Sequence, residues 1–364
     1  MKVIHVLETC SISSGGTKEL TLQKNEFYIL SDDLHRKLQL IVGHVMGIEI
    51  PFKEIYNEYK GQDLNGKQLL AMRHGGGGDI LFMTTGLMEL YRQYPRSKLD
   101  IAISDQYRPF VEGNPDIHKT LSLPISLTEW NQYHYHLIFE NLIENNYSAN
   151  QLNAYDLFME KMGLDIKVVP PERKAPSIFL SFEEEDRAHR ELPSLNGNRP
   201  SVGIQVESSS PVRNYIPYHF VKVGKELINR GYNVFLFGSQ VQECSINYIA
   251  GELGDYAYPV IKDLRTAIVA ASLMNYFIAP DSMFIHIAGG FDVPVIGLYG
   301  PFHSDLRMKY FNRSIGINAT TPCSPCFLHG HHPCSKGDPS PCLAMITPEV
   351  ILQAFDEIEI KRRR

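Results

Sequence analysis

The sequence predicts an α/β protein of two doubly wound domains, preceded by a small β appendage. Two observations support this fold class. Apolar strands alternate with helical segments over residues 67–175 and again over residues 201–364, and such alternation gives parallel sheets covered by helices on both faces. The chain has 364 residues, of which 43% are hydrophobic and 21% are charged, and this is enough for about two globular domains with sizeable cores.

The charge balance and the start of the chain exclude several classes of function. Lys and Arg number 35 and Asp and Glu number 41, so the formal net charge is −6 and general nucleic-acid binding is disfavoured. No apolar run is long enough to span a membrane, and the first residues lack a signal-peptide core. We therefore predict a cytoplasmic protein without a membrane span.

Residues 1–66 are predicted to form the β appendage. Short apolar runs over residues 3–7, 27–30 and 38–42 are separated by Ser, Gly, Asn and Asp, which is typical of short strands. The appendage is either an oligomerisation or acceptor-docking module or a packing extension. A homo-oligomer formed through it is one partner that the sequence suggests.

The first doubly wound domain is predicted over residues 67–175. Its strands are expected over residues 68–72, 99–103 and 135–139, and its helical segments over residues 80–91, near 107–113 and over 153–162. Residues 176–200 are rich in proline and charge, and we predict a linker there.

The second doubly wound domain is predicted over residues 201–364. Its strands are expected over residues 201–206, 233–237, 276–279 and 295–298. Its helices are expected over residues 218–230, 242–253, 264–273, 283–290 and 348 to about 358. Two such domains are predicted to leave a cleft between the C-terminal edges of their strands, where α/β sheets bind ligands.

A glycine-rich turn joins the first predicted strand of the first domain to the first helix. Gly76, Gly77 and Gly78 lie where unpaired backbone N–H groups meet the start of a helix, so an anionic ligand can approach closely. Asp79 follows them at or near the N-cap. It is either an ordinary helix cap or a carboxylate base held ionised by the helix dipole.

A similar turn follows a strand of the second domain. The N–H groups after Asp281 and Ser282 would hold a diphosphate, and Asp281 would accept hydrogen bonds from sugar hydroxyls. His286 lies four residues after Ser282 on the same helix face, and it is either a structural residue or a ligand contact.

Two further loops follow strands of the second domain. Ser208, Ser209 and Arg213 suit phosphate recognition, since a guanidinium binds two phosphate oxygens at once, although an ordinary polar loop is the alternative. Gly238 and Glu243 follow the next strand, where a ribose diol would be in reach.

Five stretches together resemble the heptosyltransferases of glycosyltransferase family 9. They are Gly78-Asp-Ile-Leu-Phe-Met-Thr-Thr-Gly86, Asn114-Pro-Asp-Ile117, Ser208-Ser-Ser-Pro-Val-Arg213, Asp281-Ser-Met-Phe-Ile-His-Ile-Ala288 and Val293-Pro-Val-Ile-Gly-Leu-Tyr-Gly-Pro301. The resemblance runs from about residue 67 to 358 and keeps the order of the motifs. It implies a GT-B fold of two Rossmann-like domains, an ADP-heptose-like donor in the C-terminal half and an acceptor in the N-terminal half.

The resemblance also implies roles for individual residues. The family's catalytic base falls on Asp79, its hydroxyl-bearing donor loop on Ser208 and Ser209, its phosphate-binding lysine on Arg213, its ribose-binding acid on Glu243, and its donor turn on Asp281, Ser282, Met283 and His286. Arginine therefore stands where the family has lysine. Met283 stands where the family commonly has glycine, and it takes up room beside the donor phosphates or sugar.

Four cysteines, Cys323, Cys326, Cys334 and Cys342, fall within 20 residues with the spacing C-x2-C-x7-C-x7-C. The first pair matches a metal knuckle, and four thiolates suit structural zinc, or iron, without an open position for substrate. Two disulfides are the weaker alternative, and His329, His331 or His332 would be able to replace one ligand. The chain resembles the autotransporter heptosyltransferases, which have an N-terminal extension and a finger that holds iron.

The predicted function is an inverting glycosyl transfer that needs no catalytic metal, from a nucleotide-diphosphate sugar to a hydroxyl of a glycan, a lipopolysaccharide core or a protein. The alternatives are a sugar-nucleotide epimerase or hydrolase on the same scaffold and a non-catalytic sugar-nucleotide-binding protein. A nicotinamide dehydrogenase is disfavoured, because near residue 99 only Asp100, inside a strand, could bind the ribose.

Overall fold

The structure is a computed structural model that describes residues 1–13, 19–43, 46–192, 195, 198–328, 334–337 and 339–363. Its strands are β1 (Lys2–Val6), β2 (Cys10–Ser13), β3 (Glu19–Leu22), β4 (Phe27–Leu30), β5 (Met46–Ile50), β6 (Gln68–Arg73), β7 (Lys98–Ile103), β8 (Lys119–Ser122), β9 (Ile125–Ser126), β10 (Tyr135–Ile138), β11 (Ser201–Gln205), β12 (Asn233–Phe237), β13 (Ala257–Val260), β14 (Tyr276–Pro280), β15 (Val295–Tyr299) and β16 (Ile315–Asn318).

Its α-helices are α1 (Asp32–Val42), α2 (Phe52–Ile55), α3 (Gly77–Gln93), α4 (Leu127–Trp130), α5 (Ala154–Lys161), α6 (Phe182–Glu191), α7 (Pro217–Asn229), α8 (Glu243–Leu253), α9 (Leu264–Ser272), α10 (Met283–Gly290), α11 (Asp305–Met308), α12 (Pro341–Ala344) and α13 (Pro348–Arg363). No helix in the described ranges has both the length and the apolar character needed to cross a membrane.

The chain divides into two compact units. The first contains Met1–Leu142 and Met159–Asp165, and the second contains Ile143–Phe158 and Ile166–Arg364. Helix α5 therefore has residues of both units, with its N-terminal part in the second. The predicted domain limits and the predicted cleft stay predictions.

The first unit contains a parallel sheet and an antiparallel one. The parallel sheet has the order β10-β6-β7-β8, and the antiparallel sheet has the order β5-β1-β4-β9. Val3 and Ile29 of the antiparallel sheet share one hydrophobic cluster with Leu70, Met72 and Ala102 of the parallel sheet. The β appendage is thus packed on the core of the first unit rather than separate from it.

The second unit contains a six-stranded parallel sheet in the order β13-β12-β11-β14-β15-β16. The strand order reverses between β11 and β14, so their C-terminal ends flank the topological switch point at which such sheets bind ligands. Every residue of β11, β12, β14 and β15 is buried. The predicted α/β class with parallel sheets is confirmed, and two such sheets are consistent with a GT-B fold.

One predicted strand of the appendage is wrong. Residues 38–42 belong to helix α1, because Ser31 caps its start by accepting a hydrogen bond from Leu34 N at 3.1 Å, and two aspartates occupy the first turn. The apolar side chains of Leu34, Leu38 and Val42 recur every four residues and pack on one hydrophobic cluster. A run of consecutive apolar residues is typical of a strand, but the spacing of these packed side chains is that of a helix.

The stretch predicted as a linker, residues 176–200, includes helix α6. Ser181 and Glu184 form a capping box at its start. The same Glu184 pairs with Arg265 of α9, with 2.9 Å between Nη2 and Oε2, and this ion pair lowers the pKa of Glu184 to about 2. This ion pair fixes the helix to the second unit, and the composition of the stretch alone does not predict such a pair.

Strand β12 and helix α10 have the predicted bounds. The strands that were not predicted are β2, β3, β5, β8, β9, β13 and β16. These short strands lie mostly at the edges of their sheets, where apolar periodicity is weak.

Candidate functional site

The glycine turn of the first unit lies between β6 and α3. Gly76 is the N-cap of α3 with φ of +83°, and a Cβ at this position would collide with the carboxylate of Asp79. Asp79 is the third residue of the helix, in its first turn, which agrees with the prediction that it lies at or near the N-cap. Its side chain folds back over the glycine, so the turn requires a residue without a side chain.

Arg73, the last residue of β6, determines where the Asp79 carboxylate lies. Its Nη2 pairs with Asp79 Oδ2, its Nε donates to Gly75 O at 2.8 Å, and its Nη1 donates to Phe139 O at 2.7 Å. The side chain of Arg73 is buried, whereas that of Asp79 is 14% exposed. The arrangement holds an ionised carboxylate at a fixed point and leaves part of it accessible.

Other side chains hold the same turn from outside. Ser104 Oγ donates to His74 O at 2.6 Å, Gly76 N donates to the Tyr107 hydroxyl at 3.3 Å, and His74 N donates to Glu140. Burial lowers the pKa of His74, and the charges of Glu140 and Asp33 act in the opposite direction. Because Asp33 lies on α1, the appendage is within electrostatic range of this turn.

The donor turn, residues 280–283, lies between β14 and α10 in the second unit. Asp281 N donates to Leu298 O of β15 at 3.2 Å, and Asp281 Oδ2 accepts from Arg213 Nη1 at 3.4 Å. The side chain of Asp281 is 4% exposed and that of Arg213 is 24% exposed. Ser282 Oγ donates to Gln205 at the end of β11. The acid, the arginine and the serine thus meet at the switch point between β11 and β14.

The serine loop after β11 differs from its predicted role in one respect. Ser208 Oγ donates to Ser210 O at 2.9 Å and accepts from Ser210 N at 3.1 Å, while Ser208 N donates to Asn214 at 2.8 Å. The buried Ser208 hydroxyl therefore holds its own loop together. Ser209 is exposed, so of the two predicted hydroxyls it is the accessible one.

Gly238 and Glu243 lie at the next loop. Gly238 follows β12, and a Cβ there would lie 2.7 Å from Ile246 Cδ1 and 2.8 Å from Gln242 Oε1, so the glycine lets α8 approach. Glu243 is the first residue of α8 and accepts from the Gln240 amide. That Gly238 and Glu243 contact the donor remains a prediction.

Three buried residues near His286 were not found from the sequence: Tyr155, Tyr299 and Arg307. His286 is buried, burial lowers its pKa to about 3, and its Nδ1 lies 2.9 Å from the Tyr155 hydroxyl. In the described part of the chain the buried Tyr299 hydroxyl has no hydrogen-bond partner. The buried Arg307 guanidinium lies over the Phe302 ring at 4.9 Å and bonds Leu306 O at 3.0 Å.

These residues form one electrostatic group in the second unit. Asp281, Arg213 and Arg307 all influence the pKa of His286 and of Tyr299. Tyr299 ends β15, which pairs with β14, the strand that Asp281 follows. Its place in the stretch of residues 293–301 is the signal in the sequence that points to it. Tyr155 and Arg307 come from short helices with no motif of their own.

The structure does not show the metal site that the four cysteines are predicted to form. Within the residues described, no group of three or more His, Cys, Asp or Glu side chains could hold a metal ion, and His329, His331 and His332 lie outside those residues. All four cysteines of the finger are free thiols. Burial raises the pKa of Cys342, and the charges of Cys326, Cys323 and Cys334 raise it further, so these three cysteines lie within electrostatic range of Cys342.

A doubly wound sheet with an acid, an arginine and a serine at its switch point is typical of α/β proteins that bind a ligand at this edge of the sheet. Residues 152–333, which are half of the chain, match the family described as glycosyltransferase family 9 (heptosyltransferase). The chain therefore belongs to glycosyltransferase family 9 and is a glycosyltransferase. The matched range includes every predicted site residue of the second unit up to Cys326.

Individual relatives agree with this family. Lipopolysaccharide heptosyltransferase 2 of Salmonella typhimurium is 28% identical over 340 residues, which cover 77% of this chain and 95% of that protein. A glycosyltransferase family 9 structure from Veillonella parvula has a TM-score of 0.68 at 15% identity and covers 83% of this chain and 100% of that one.

The structure of TibC, an iron-containing dodecameric heptosyltransferase of enterotoxigenic E. coli solved with ADP-D-beta-D-heptose, also has this fold. Its TM-score is 0.60 at 11% identity, and the match covers 99% of this chain and 91% of that chain. Because the match covers 99% of this chain, it includes the region of the β appendage.

Proposed function

We propose that this chain transfers a heptose from an ADP-heptose-like donor to a hydroxyl of a lipopolysaccharide core or of a related glycan or protein. The observation that carries the proposal is the pairing of Arg213 with the buried Asp281 at the switch point of the second sheet. The names of the relatives support the sugar and the acceptor, and the ADP-heptose complex of TibC supports the nucleotide.

The second unit holds the donor in this proposal. Arg213 neutralises the diphosphate, because a guanidinium offers two parallel N–H donors to phosphate oxygens. Asp281 accepts hydrogen bonds from sugar hydroxyls, and the N–H groups at the start of α10 face the negative charge that grows on the leaving diphosphate. Ser209 and Glu243 supply further polar contacts to phosphate and ribose.

Asp79 acts as the general base on the acceptor hydroxyl. The hydroxyl oxygen forms a bond to the anomeric carbon as the bond to the diphosphate breaks, and the hydroxyl proton moves to the carboxylate. Attack opposite the leaving group inverts the configuration at that carbon. Arg73 supports the role, because its hydrogen bonds to Gly75 O and Phe139 O hold the guanidinium that fixes the Asp79 carboxylate before reaction.

Binding and transfer assays test the proposal. Thermal shift with ADP-, GDP- and UDP-linked sugars identifies the nucleotide, and we expect the ADP-linked donor to stabilise the protein most. Transfer is then measured with and without a lipopolysaccharide-core acceptor. Release of free sugar without acceptor at the rate of transfer indicates a hydrolase, and binding without any turnover indicates a binding protein.

We propose that Cys323, Cys326, Cys334 and Cys342 hold one structural metal ion, zinc or iron. The four cysteines are free thiols, and three of them lie within electrostatic range of Cys342, which supports the site, as does the iron of TibC. The ion would supply a cross-link that holds the finger against the end of β15, where Ser324 already donates to Gly300 O.

Elemental analysis tests the metal site. We expect one metal ion per chain in protein purified without oxygen, and loss of that ion in Cys342→Ser. Cys244→Ser is the matched control, since Cys244 is an exposed free thiol outside the finger. Metal-free protein after anaerobic reconstitution contradicts the site.

We propose that the β appendage also mediates self-association. Leu40 and Ile41 of α1 are 89% and 61% exposed, an unusual exposure for large apolar side chains on one helix, and TibC is dodecameric. Light scattering tests it: Leu40→Glu with Ile41→Glu should lower the oligomer mass. Val241→Glu, a change at an equally exposed apolar residue of the second unit, should leave it unchanged.

A further inference from the structure

Helix α12 and the residues beside it lie against the turn that carries Arg213. Ser340, the N-cap residue of α12, donates its hydroxyl proton to Val212 O at 2.8 Å. On the other side of Arg213, the Tyr215 hydroxyl donates to Ile346 O. Both hydrogen bonds are buried, and they join residues that are 128 and 131 positions apart in the sequence. Arg213 thus stands between two attachment points on the chain around α12.

We propose that residues 340–346 form a clamp that positions Arg213 for the diphosphate of the donor, with Ser340 and Tyr215 as the positioning residues. The clamp rests on the proposed function, since the ligand of Arg213 is the diphosphate assigned there. Neither Ser340 nor Tyr215 touches the ligand. Each holds the backbone beside Arg213 in place.

The side-chain partner of Arg213 holds its guanidinium only loosely. Arg213 Nη1 lies 3.4 Å from Asp281 Oδ2, whereas charge-assisted hydrogen bonds between nitrogen and a carboxylate are about 2.7–2.9 Å long. An arginine that binds a ligand loses conformational entropy, and the loss is smaller when its backbone is already fixed. The readiness of Arg213 to bind a diphosphate therefore depends on the turn from which its side chain extends.

The hydrogen bonds within the turn fix its shape but not its place on the sheet. Pro211–Arg213 form a single turn of 3₁₀ helix. Its backbone bonds run from Arg213 N to Ser210 O and from Asn214 N to Pro211 O, both at 3.0 Å. All of these groups belong to one loop, so they can move together. A bond to a distant segment is what fixes such a loop in place.

The clamp is itself anchored in the core of the second unit. Cys342, Leu343 and Ile346 belong to the hydrophobic cluster that also contains Tyr215. A Cβ at Gly300, just after β15, would lie 2.6 Å from Cys342 Sγ, so this glycine lets the clamp approach the sheet. Close packing gives the clamp a fixed position. Since Cys342 is the last cysteine of the predicted finger, the clamp also joins the finger to the loop of the donor-binding arginine.

Calorimetry on the full chain with ADP and with adenosine tests the role of Ser340. Ser340→Ala should raise the Kd for ADP roughly two- to tenfold, the size expected for one neutral hydrogen bond, and leave the Kd for adenosine unchanged. Transfer assays should show a higher KM for the donor with little change in kcat. Ser272→Ala is the matched control, because Ser272 Oγ donates to Val269 O at 2.7 Å within α9, and it should change neither Kd. Wild-type affinity for ADP in Ser340→Ala overturns the proposal.

Tyr215→Phe tests the second attachment point, because it keeps the ring and removes the hydrogen bond to Ile346 O. We expect the Kd for ADP to rise roughly two- to tenfold again. The Tyr215 hydroxyl also lies 3.0 Å from His219 Nδ1, so His219→Gln is the control and should bind ADP as the wild type does. If His219→Gln weakens ADP binding as much as Tyr215→Phe, the bond to Ile346 is not what positions the turn.

A double variant shows whether Ser340 acts through Arg213. If it does, adding Ser340→Ala to Arg213→Gln should change the Kd for ADP by less than about twofold, because the side chain that the clamp positions is already gone. A hydroxyl with a purely structural role would weaken binding by the same factor in both backgrounds. Equal factors therefore overturn the proposal, even if Ser340→Ala lowers the Tm.

Hydrogen exchange separates the clamp from the function on which it rests. In ligand-free Ser340→Ala, the amides of residues 208–215 should exchange faster than in the wild type, while those of residues 238–243 should not change. Unchanged exchange over residues 208–215 overturns the clamp. A wild-type protein that neither binds ADP nor transfers sugar overturns the proposed function instead, and the exchange measurement still tests the clamp.

Discussion

An aspartate follows a strand and a turn in each unit, and its surroundings differ between the two. Asp79 lies inside the first turn of α3, is 14% exposed, and pairs with Arg73 only six residues earlier. Asp281 lies before α10, is 4% exposed, and pairs with Arg213, which follows a different strand. The first acid is held locally and is accessible, and the second is buried in a cluster of distant residues.

This difference suits the two carboxylates to two different roles. A carboxylate that takes a proton must be reachable by the hydroxyl that loses it, which suits Asp79. A carboxylate that recognises a ligand gains from burial among fixed donors and cations, which suits Asp281 with Arg213, Ser282 and His286. We therefore expect changes at the glycine turn to affect the rate of the chemical step and changes at the donor turn to affect binding.

The largest effect is expected at Asp79. Asp79→Asn should lower kcat roughly a hundredfold to ten-thousandfold, because the reaction loses its general base, while calorimetry should give an unchanged Kd for ADP. Glu89→Gln is the matched control, since Glu89 is a buried acid on the same helix that pairs with Arg92. Wild-type turnover in Asp79→Asn would remove Asp79 from its proposed role.

The next effect is expected at Arg213. Arg213→Gln should raise the Kd for ADP roughly tenfold to a hundredfold, because charge-assisted hydrogen bonds to the diphosphate are lost. Adenosine, which has no phosphate, should bind both proteins equally. Arg313→Gln, which removes an exposed arginine paired with Asp292, should leave both affinities unchanged, and the idea fails if the two arginine variants behave alike.

The glycine turn can be disturbed without changing any charge. Gly76→Ala places a side chain at φ of +83° and against the Asp79 carboxylate, so we expect kcat to fall about tenfold or more as the base is displaced. Gly61→Ala is the control for backbone strain alone, since Gly61 has φ of +94° and open space around its Cβ position. Equal kcat in the two variants would argue against the role of Gly76 in placing the base.

A smaller difference between the two turns is expected in how the free energy of unfolding depends on pH. His286 has a pKa of about 3 in the folded protein, so below pH about 6.5 the unfolded chain binds a proton that the folded chain does not. The free energy of unfolding should therefore decrease as the pH falls from about 6.5 towards 3, by at most ~1.4 kcal/mol per pH unit. His286→Gln should reduce this dependence in denaturant titrations, and what remains comes from carboxyl groups with a lowered pKa, such as Glu184.

His74 of the glycine turn gives the comparison for that measurement. Burial lowers its pKa, but Glu140 and Asp33 oppose the shift. His74→Gln should therefore reduce the pH dependence of the free energy of unfolding less than His286→Gln does. The reverse order would mean that His286 is not the more strongly desolvated of the two.

The sequence predicted the elements that carry the site better than those around it. The bounds of β12 and α10 were predicted correctly because both are continuous apolar segments ended by polar or glycine residues. Helix α1 was misread because its apolar residues also form a short consecutive run. Local spacing alone did not decide between the two structures there.

Side-chain partners were beyond the sequence analysis for a different reason. The pairing of Asp79 with Arg73, the use of the Ser208 hydroxyl within its own loop, and the contact of Tyr155 with His286 depend on tertiary packing. The motifs indicated which positions along the chain hold residues that bind ligands or take part in catalysis. The neighbours that orient these residues come from segments without a motif.

The most direct test of the proposed division of labour measures ADP affinity and sugar transfer side by side in Asp79→Asn and Arg213→Gln. We predict that Asp79→Asn binds ADP as the wild type does and transfers almost no heptose. We predict that Arg213→Gln binds ADP weakly and recovers transfer as the donor concentration rises. Lost ADP binding in Asp79→Asn together with wild-type ADP binding in Arg213→Gln would contradict the account.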